Sequence, residues 1–201
     1  MTLARSAAFV LLAAAACHGG RAAWIEAKAL LAQRLVRHAW SVARAGGGDA
    51  RPWPWADTYP MARLTVPDHG VDLFVLAGAS GRTLAFGPGH VSGTALPGEA
   101  GNAVLSGHRD THFAFLRQLV PGDVVVIERR DGLRLSYRVS ARRVVDRRAG
   151  EVMGETPDTR LTLVTCYPFG ALRPGGPLRY VVTALADDER PLRLQPGGED
   201  Q

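Results

Sequence analysis

Lysine is almost absent from this chain: Lys28 is the only one among 24 basic residues, and the rest are arginines. The arginines are scattered, and the densest pairs (Arg129-Arg130, Arg142-Arg143, Arg147-Arg148) each lie near an Asp or Glu. Aromatic residues are few, at 7%, and they form no stacking platform interleaved with basic groups. The net charge of +5 therefore comes without the clustered basic face that nucleic-acid binding needs. No uninterrupted apolar run approaches the roughly 18 residues of a transmembrane helix, which excludes a polytopic membrane protein. There are only two cysteines, Cys17 and Cys166, in such different contexts that a disulfide between them is not expected. What is plentiful is apolar surface. With 201 residues, 46% of them hydrophobic and 21% charged, the chain can bury a real core, enough for about one domain and an appendage.

Three pieces are visible. In residues 1–20, Arg5 precedes the apolar stretch from Ala7 to Cys17, and His18-Gly19-Gly20 comes next. A charged start and a short run of small apolar residues form the pattern of an export signal or membrane anchor. Residues 21–59 are expected to form a stalk and linker. Trp24, Leu31, Leu35 and Val42 fall at helical spacing, with Arg34, Arg37 and Arg44 off the stripe. Gly46-Gly47-Gly48 is expected to stop that helix and to decouple it from the β-rich part of the chain. The segment Arg51-Pro52-Trp53-Pro54-Trp55 is held extended by its prolines, and its tryptophans are expected to dock on the next domain.

Residues 60–186 read as β throughout, and a polar tail covers 187–201. Candidate strands rich in Val, Leu and Thr are 61–66, 71–76, 102–106, 124–128, 133–145, 160–166 and 178–185. They are punctuated by Asp68-His69-Gly70, Pro121-Gly122-Asp123 and the tight-hairpin signal Asp131-Gly132. A short helix is expected near 111–119. Seven or eight short strands at this spacing predict a mainly β fold, a closed barrel or a sandwich.

Three residues carry candidate chemistry. Cys166 ends the apolar run Leu161–Cys166, just before Tyr167-Pro168. A thiol there is either packed in the core or a nucleophile, the thiolate being the reactive form. His108 comes after Gly107 at the end of another strand and can exchange a proton near neutral pH; His112, four residues on, is expected to be structural. Arg179 lies on the last strand candidate among apolar neighbours. A fixed guanidinium there needs an anionic partner, either structural or an oxyanion that develops during a reaction.

Taken together these segments resemble the sortases. LTLVTC at 161–166 is similar to the strand carrying the sortase nucleophile, GHRDTHF at 107–113 to the His motif, and LRYVV at 178–182 to the strand with the catalytic Arg. PWPWADT at 52–58, LAFGPGH at 84–90 and PGEAGN at 97–102 resemble the Gram-negative class (class GN), and the likeness runs from about Trp24 to Leu185. The resemblance implies a closed barrel of about eight strands and cysteine transpeptidation. Cys166 would attack a carbonyl in the C-terminal sorting motif of an exported protein, and His108 would protonate the leaving group. An amine of unknown identity would resolve the thioester, while Arg179 stabilises the oxyanion and Thr165 assists in substrate binding. It implies no cofactor, and the sequence offers no carboxylate cluster for calcium. It also implies association with the inner membrane through the N-terminus, facing the periplasm, and a loop from 146 to 159 over the substrate groove. Two other classes compete: another exported Cys/His enzyme (a cysteine peptidase, or an L,D-transpeptidase, whose Ser-x-Gly-Cys turn is missing), and a non-catalytic β-barrel binding domain.

Overall fold

The computed structural model describes residues 2–148, 150–173 and 175–187; the polar tail expected after Asp187 lies outside them. A single long helix, α1 (Thr2–Arg44), leads into eight strands: β1 (Pro60–Val66), β2 (Val71–Ala77), β3 (Gly89–His90), β4 (Gly101–Ser106), β5 (Val124–Arg129), β6 (Arg134–Asp146), β7 (Thr159–Cys166) and β8 (Leu178–Ala186). They close into a barrel in the order β1-β2-β3-β4-β7-β8-β6-β5. The predicted strands appear with ends moved by a residue or so, and β3 is an addition.

Alternation builds the barrel. In β1, Ala62, Leu64 and Val66 are buried while Met61, Arg63 and Thr65 are half-buried, as expected for a strand with one face on the core. Leu105, Ile127, Tyr137, Leu161 and Leu163 are fully buried behind them. Asp131-Gly132 makes the β5–β6 hairpin: the Leu133 amide bonds the Asp131 carboxylate and Gly132 adopts φ 82°. Gly89 is needed for β3 to pair parallel to β2, because a Cβ there would run into the Gly78 carbonyl. Tyr137 ties the loop before β4 to the core: its hydroxyl accepts from the Gly98 amide at 2.8 Å, and burial pushes its pKa up to about 12. The PGEAGN segment is thereby anchored to the barrel interior.

The N-terminal expectations need correction. α1 is continuous from Thr2 through Gly19-Gly20 to Arg44. Its buried face is also not the stripe of large residues. Trp24 and Leu31 are exposed at 63% and 56%, while Ala32, Val36, Ala39, Trp40 and Ala43 are buried. Small side chains let the helix approach the barrel closely, where Trp40 meets Phe74 with ring centroids 5.9 Å apart. Nor is the helix decoupled: Arg44 pairs with the buried Glu128 of β5 at 2.7 Å, and the Gln33 amide reaches the Phe86 carbonyl at 2.7 Å. Trp53 docks edge-on against Phe86, centroids 4.8 Å apart, but Trp55 is 82% exposed. The helix expected at 111–119 is shorter, a 3-10 turn at Ala114–Arg117, and His112 lies in the turn before it. Among the described residues no helix is long and apolar enough to cross a membrane.

Candidate active site

Strand direction brings the three candidate residues to one edge of the barrel. β4 and β7 run parallel, so both C-terminal ends reach the same edge; β8 is antiparallel to β7 and starts there. Cys166 is the last residue of β7 and pairs directly with Arg179 of β8. Directly paired residues project to the same face of a sheet. His108 sits two residues past the end of β4, where Ser106 pairs with Val164. Parity assigns the face. Leu161, Leu163 and Thr165 of β7 are buried, whereas Val164, two residues before Cys166, lines an outer groove. The groove has a volume of about 310 Å³, and Val104, Ser106 and Arg179 line it too. Cys166 is half-buried and is a free thiol.

Thr165 lies opposite the groove face and is 2% exposed. Its hydroxyl donates to the Gly107 carbonyl at 2.7 Å, and the Gly107 amide donates to the Val164 carbonyl at 3.2 Å. This pair of bonds fixes the exits of β4 and β7 against each other, one residue before His108 and one before Cys166. Gly107 is required there because a Cβ would stand 2.6 Å from the buried Phe113 ring. Thr165 is thus built as a clamp between strands rather than as a groove-facing contact.

The His108 exit then turns back on itself, the Phe113 amide bonding the His108 carbonyl at 2.9 Å. His108 is exposed. His112 is half-buried, and its Nδ1 is buried with no hydrogen-bond partner among the described residues. Burial, and secondarily the nearby charge of His108, push its pKa below the usual imidazole range.

Sequence reasoning missed Arg109. Its guanidinium donates to the Pro168 and Ala171 carbonyls, each at 2.8 Å, and forks onto Asp110 at 2.9 Å. One Arg-Asp pair on the histidine loop therefore holds the loop that comes after Cys166. The bond to Asp110 raises the Arg109 pKa, and Cys166 adds a smaller effect of the same sign. The adjacent Arg-Asp dipeptide inside GHRDTHF was the available signal. Arg179 turns one nitrogen back on its own strand entry, donating to the carbonyls of Gly176 at 2.8 Å and Leu178 at 2.9 Å.

The loop between β6 and β7 covers one side of the groove through Val152 and Met153. The buried Asn102 pins it by donating to the Val152 and Gly154 carbonyls at 2.9 and 3.3 Å, and Thr162 orients Asn102 through a 2.6 Å bond. A larger cleft of about 680 Å³ between α1 and the β1–β2 pair holds neither cysteine nor His108. No group of three or more His, Cys, Asp or Glu that could hold a metal occurs among the described residues.

Residues 64–187 match the sortase domain family. The chain belongs to the sortase family. This sortase is 31% identical over 120 residues to sortase D of Bacillus subtilis (strain 168), a match covering 59% of this chain and 60% of that protein. It therefore spans less than two thirds of the length of that curated relative. Sortase C-1 of Actinomyces oris is 33% identical with a TM-score of 0.57, covering 64% of this chain and 74% of that one. A sortase D5 transpeptidase of Clostridium perfringens is 25% identical with the same TM-score, covering 64% and 79%.

Proposed function

We propose that this sortase is a cysteine transpeptidase acting on exported proteins that bear a C-terminal sorting motif. The observation carrying the proposal is the meeting of Cys166, His108 and Arg179 at the adjacent ends of β7, β4 and β8, with Cys166 and Arg179 directly paired. In the first step the Cys166 thiolate adds to the carbonyl carbon of the scissile peptide bond, and the carbonyl oxygen takes up the negative charge. Arg179, fixed from behind by the Gly176 and Leu178 carbonyls, stabilises that oxyanion with its remaining donors. The C–N bond then breaks, and His108 gives its proton to the departing amine, leaving a thioester on Cys166. In the second step an incoming amine attacks the thioester carbonyl and gives its proton to His108; the C–S bond breaks and the Cys166 thiolate and protonated His108 that began the cycle are restored. The exposure of His108 gives both amines access to it.

Residues 60–186 are assigned the catalytic barrel and residues 21–59 the stalk and linker. Arg5 ahead of the apolar run supports export and membrane association for residues 1–20, with the enzyme facing the periplasm. The segments PWPWADT, LAFGPGH and PGEAGN support assignment to the Gram-negative class.

The test is trapping. A pool of short amino-blocked peptides is incubated with the enzyme, and Cys166 is probed by mass spectrometry for a hydroxylamine-sensitive adduct. The adduct is expected on the wild type and absent from Cys166→Ala, with melting unchanged. Adduct formation at background rate in both, or elsewhere in both, defeats the proposal.

A further inference from the structure

The groove beside Cys166 is lined by two arginines, Arg179 and Arg147, and by an apolar wall that includes Val104, Val152 and Val164. No described carboxylate lines it. Among the described residues, the Arg179 side chain bonds only neutral backbone carbonyls. Arg147 is held at its backbone, where its amide donates to the Pro177 carbonyl at 2.8 Å, while its exposed side chain has no ion pair among the described residues. Two neighbouring acids are engaged elsewhere: Asp146 accepts from the Arg148 amide at 2.8 Å, and Asp158 pairs with Arg160 at 2.7 Å. Two like charges sharing one groove repel, and the apolar wall lowers the local dielectric, so an anion placed between them is favoured on both counts.

We propose that Arg147 is a specificity-determining residue, and that the peptide this sortase accepts carries an Asp or Glu side chain close to an aliphatic one. The inference rests on the transpeptidase reading above. Arg179 serves the reacting carbonyl, so Arg147 is the cation left to meet a side-chain carboxylate, and the apolar wall receives the aliphatic neighbour. An exposed Arg-carboxylate contact is expected to favour an acidic peptide over its amide analogue by about two- to five-fold in kcat/KM.

The experiment uses the full chain and a pool of short blocked peptides in which Asp, Asn and Lys compete at every position. Peptides captured as thioesters on Cys166 are sequenced by mass spectrometry for the wild type, Arg147→Gln and Arg147→Glu, each checked by melting. Enrichment of Asp over Asn is expected at one position in the wild type. It should weaken at high salt, disappear in Arg147→Gln, and turn towards Lys in Arg147→Glu. Capture with no preference for Asp, or a preference that survives Arg147→Gln, overturns this inference and leaves the transpeptidase reading standing. A preference residing only in the acceptor amine overturns it as well. Absence of any peptide on Cys166 overturns the transpeptidase reading, and this inference with it.

Discussion

Thr165→Val tests whether the site depends on the bond joining the exits of β4 and β7. Valine replaces a hydroxyl by a methyl of nearly the same size, so packing around this 2%-exposed position is largely kept. What disappears is the 2.7 Å bond to the Gly107 carbonyl. A buried acceptor left without this partner costs about 1–3 kcal/mol. For a chain of this size about 1 kcal/mol shifts Tm by roughly 2–4 °C, which gives a fall of about 2–12 °C. The effect on turnover is expected to exceed the effect on stability, because His108 and Cys166 lie immediately beyond the two joined residues. Misplacing reacting groups by about 1 Å can cost on the order of a hundred-fold. Thr165→Ser separates the two causes: it keeps the donor and removes one methyl, about 0.8 kcal/mol of transfer energy. Thermal melting, iodoacetamide alkylation of Cys166 and thioester formation with a captured peptide are measured for each. Serine is expected near wild type in thioester formation and valine far below it. Equal impairment of the two, or a valine variant that melts and reacts as the wild type does, refutes the reasoning.

Gly107→Ala should lower Tm by an overpacking cost of about 1–3 kcal/mol, since its Cβ would press on the buried Phe113 ring. An unchanged melting curve would show the His108 exit to be softer than described. Arg109→Lys keeps the charge but cannot bond Pro168, Ala171 and Asp110 together. Thioester formation is expected to fall while the pH profile of Cys166 alkylation stays in place; rescue of turnover by Lys would reduce Arg109 to its charge. His112→Gln should flatten the acid limb of stability. The native His112 pKa lies below the unfolded value near 6.5, so as pH falls through that value the unfolded chain binds the proton first and the fold loses stability. The wild type should therefore lose Tm more steeply than the variant between about pH 7 and pH 5; parallel slopes would contradict the lowered pKa.

The barrel was legible because its strands are long enough to alternate. Met61 to Val66 shows several repeats of period two, Leu161 to Cys166 is a bounded run rich in Leu, Val and Thr, and seven strands match within a residue or so at each end. β3 was not, since Gly89-His90 has no period and is held by what glycine permits rather than by what a side chain buries. The α1 face was misread for a related reason. Hydrophobic size points to the large residues, but a helix lying close on a barrel buries its small side chains. Ala32, Val36, Ala39 and Ala43 recur at helical spacing, and among the large residues whose burial is described only Trp40 joins them. The decoupling expected from Gly46-Gly47-Gly48 fails because Arg44 precedes the glycines and is already paired with Glu128.

The site was legible in its members and not in its wiring. Cys166, His108 and Arg179 stand at strand ends, and chain order with local pattern is enough to single them out. Their support depends on which strands become neighbours. Thr165 was expected to assist in substrate binding, yet the parallel pairing of β4 with β7 turns it inward onto Gly107. Arg109 looked like one more scattered arginine until the loop after Cys166 folded beneath it. The same pairing explains why these supports are polar. At an edge where β4 has ended and β7 is ending, backbone carbonyls lose their ladder partners, and side-chain donors must replace them. Thr165 does so for Gly107, Arg109 for Pro168 and Ala171, and Arg179 for Gly176. The groups that complete the barrel edge are thus the groups that hold the candidate chemistry in position. Substitutions there should disturb stability and reactivity together, whereas Arg147, exposed on the covering loop, should alter only which peptide is accepted.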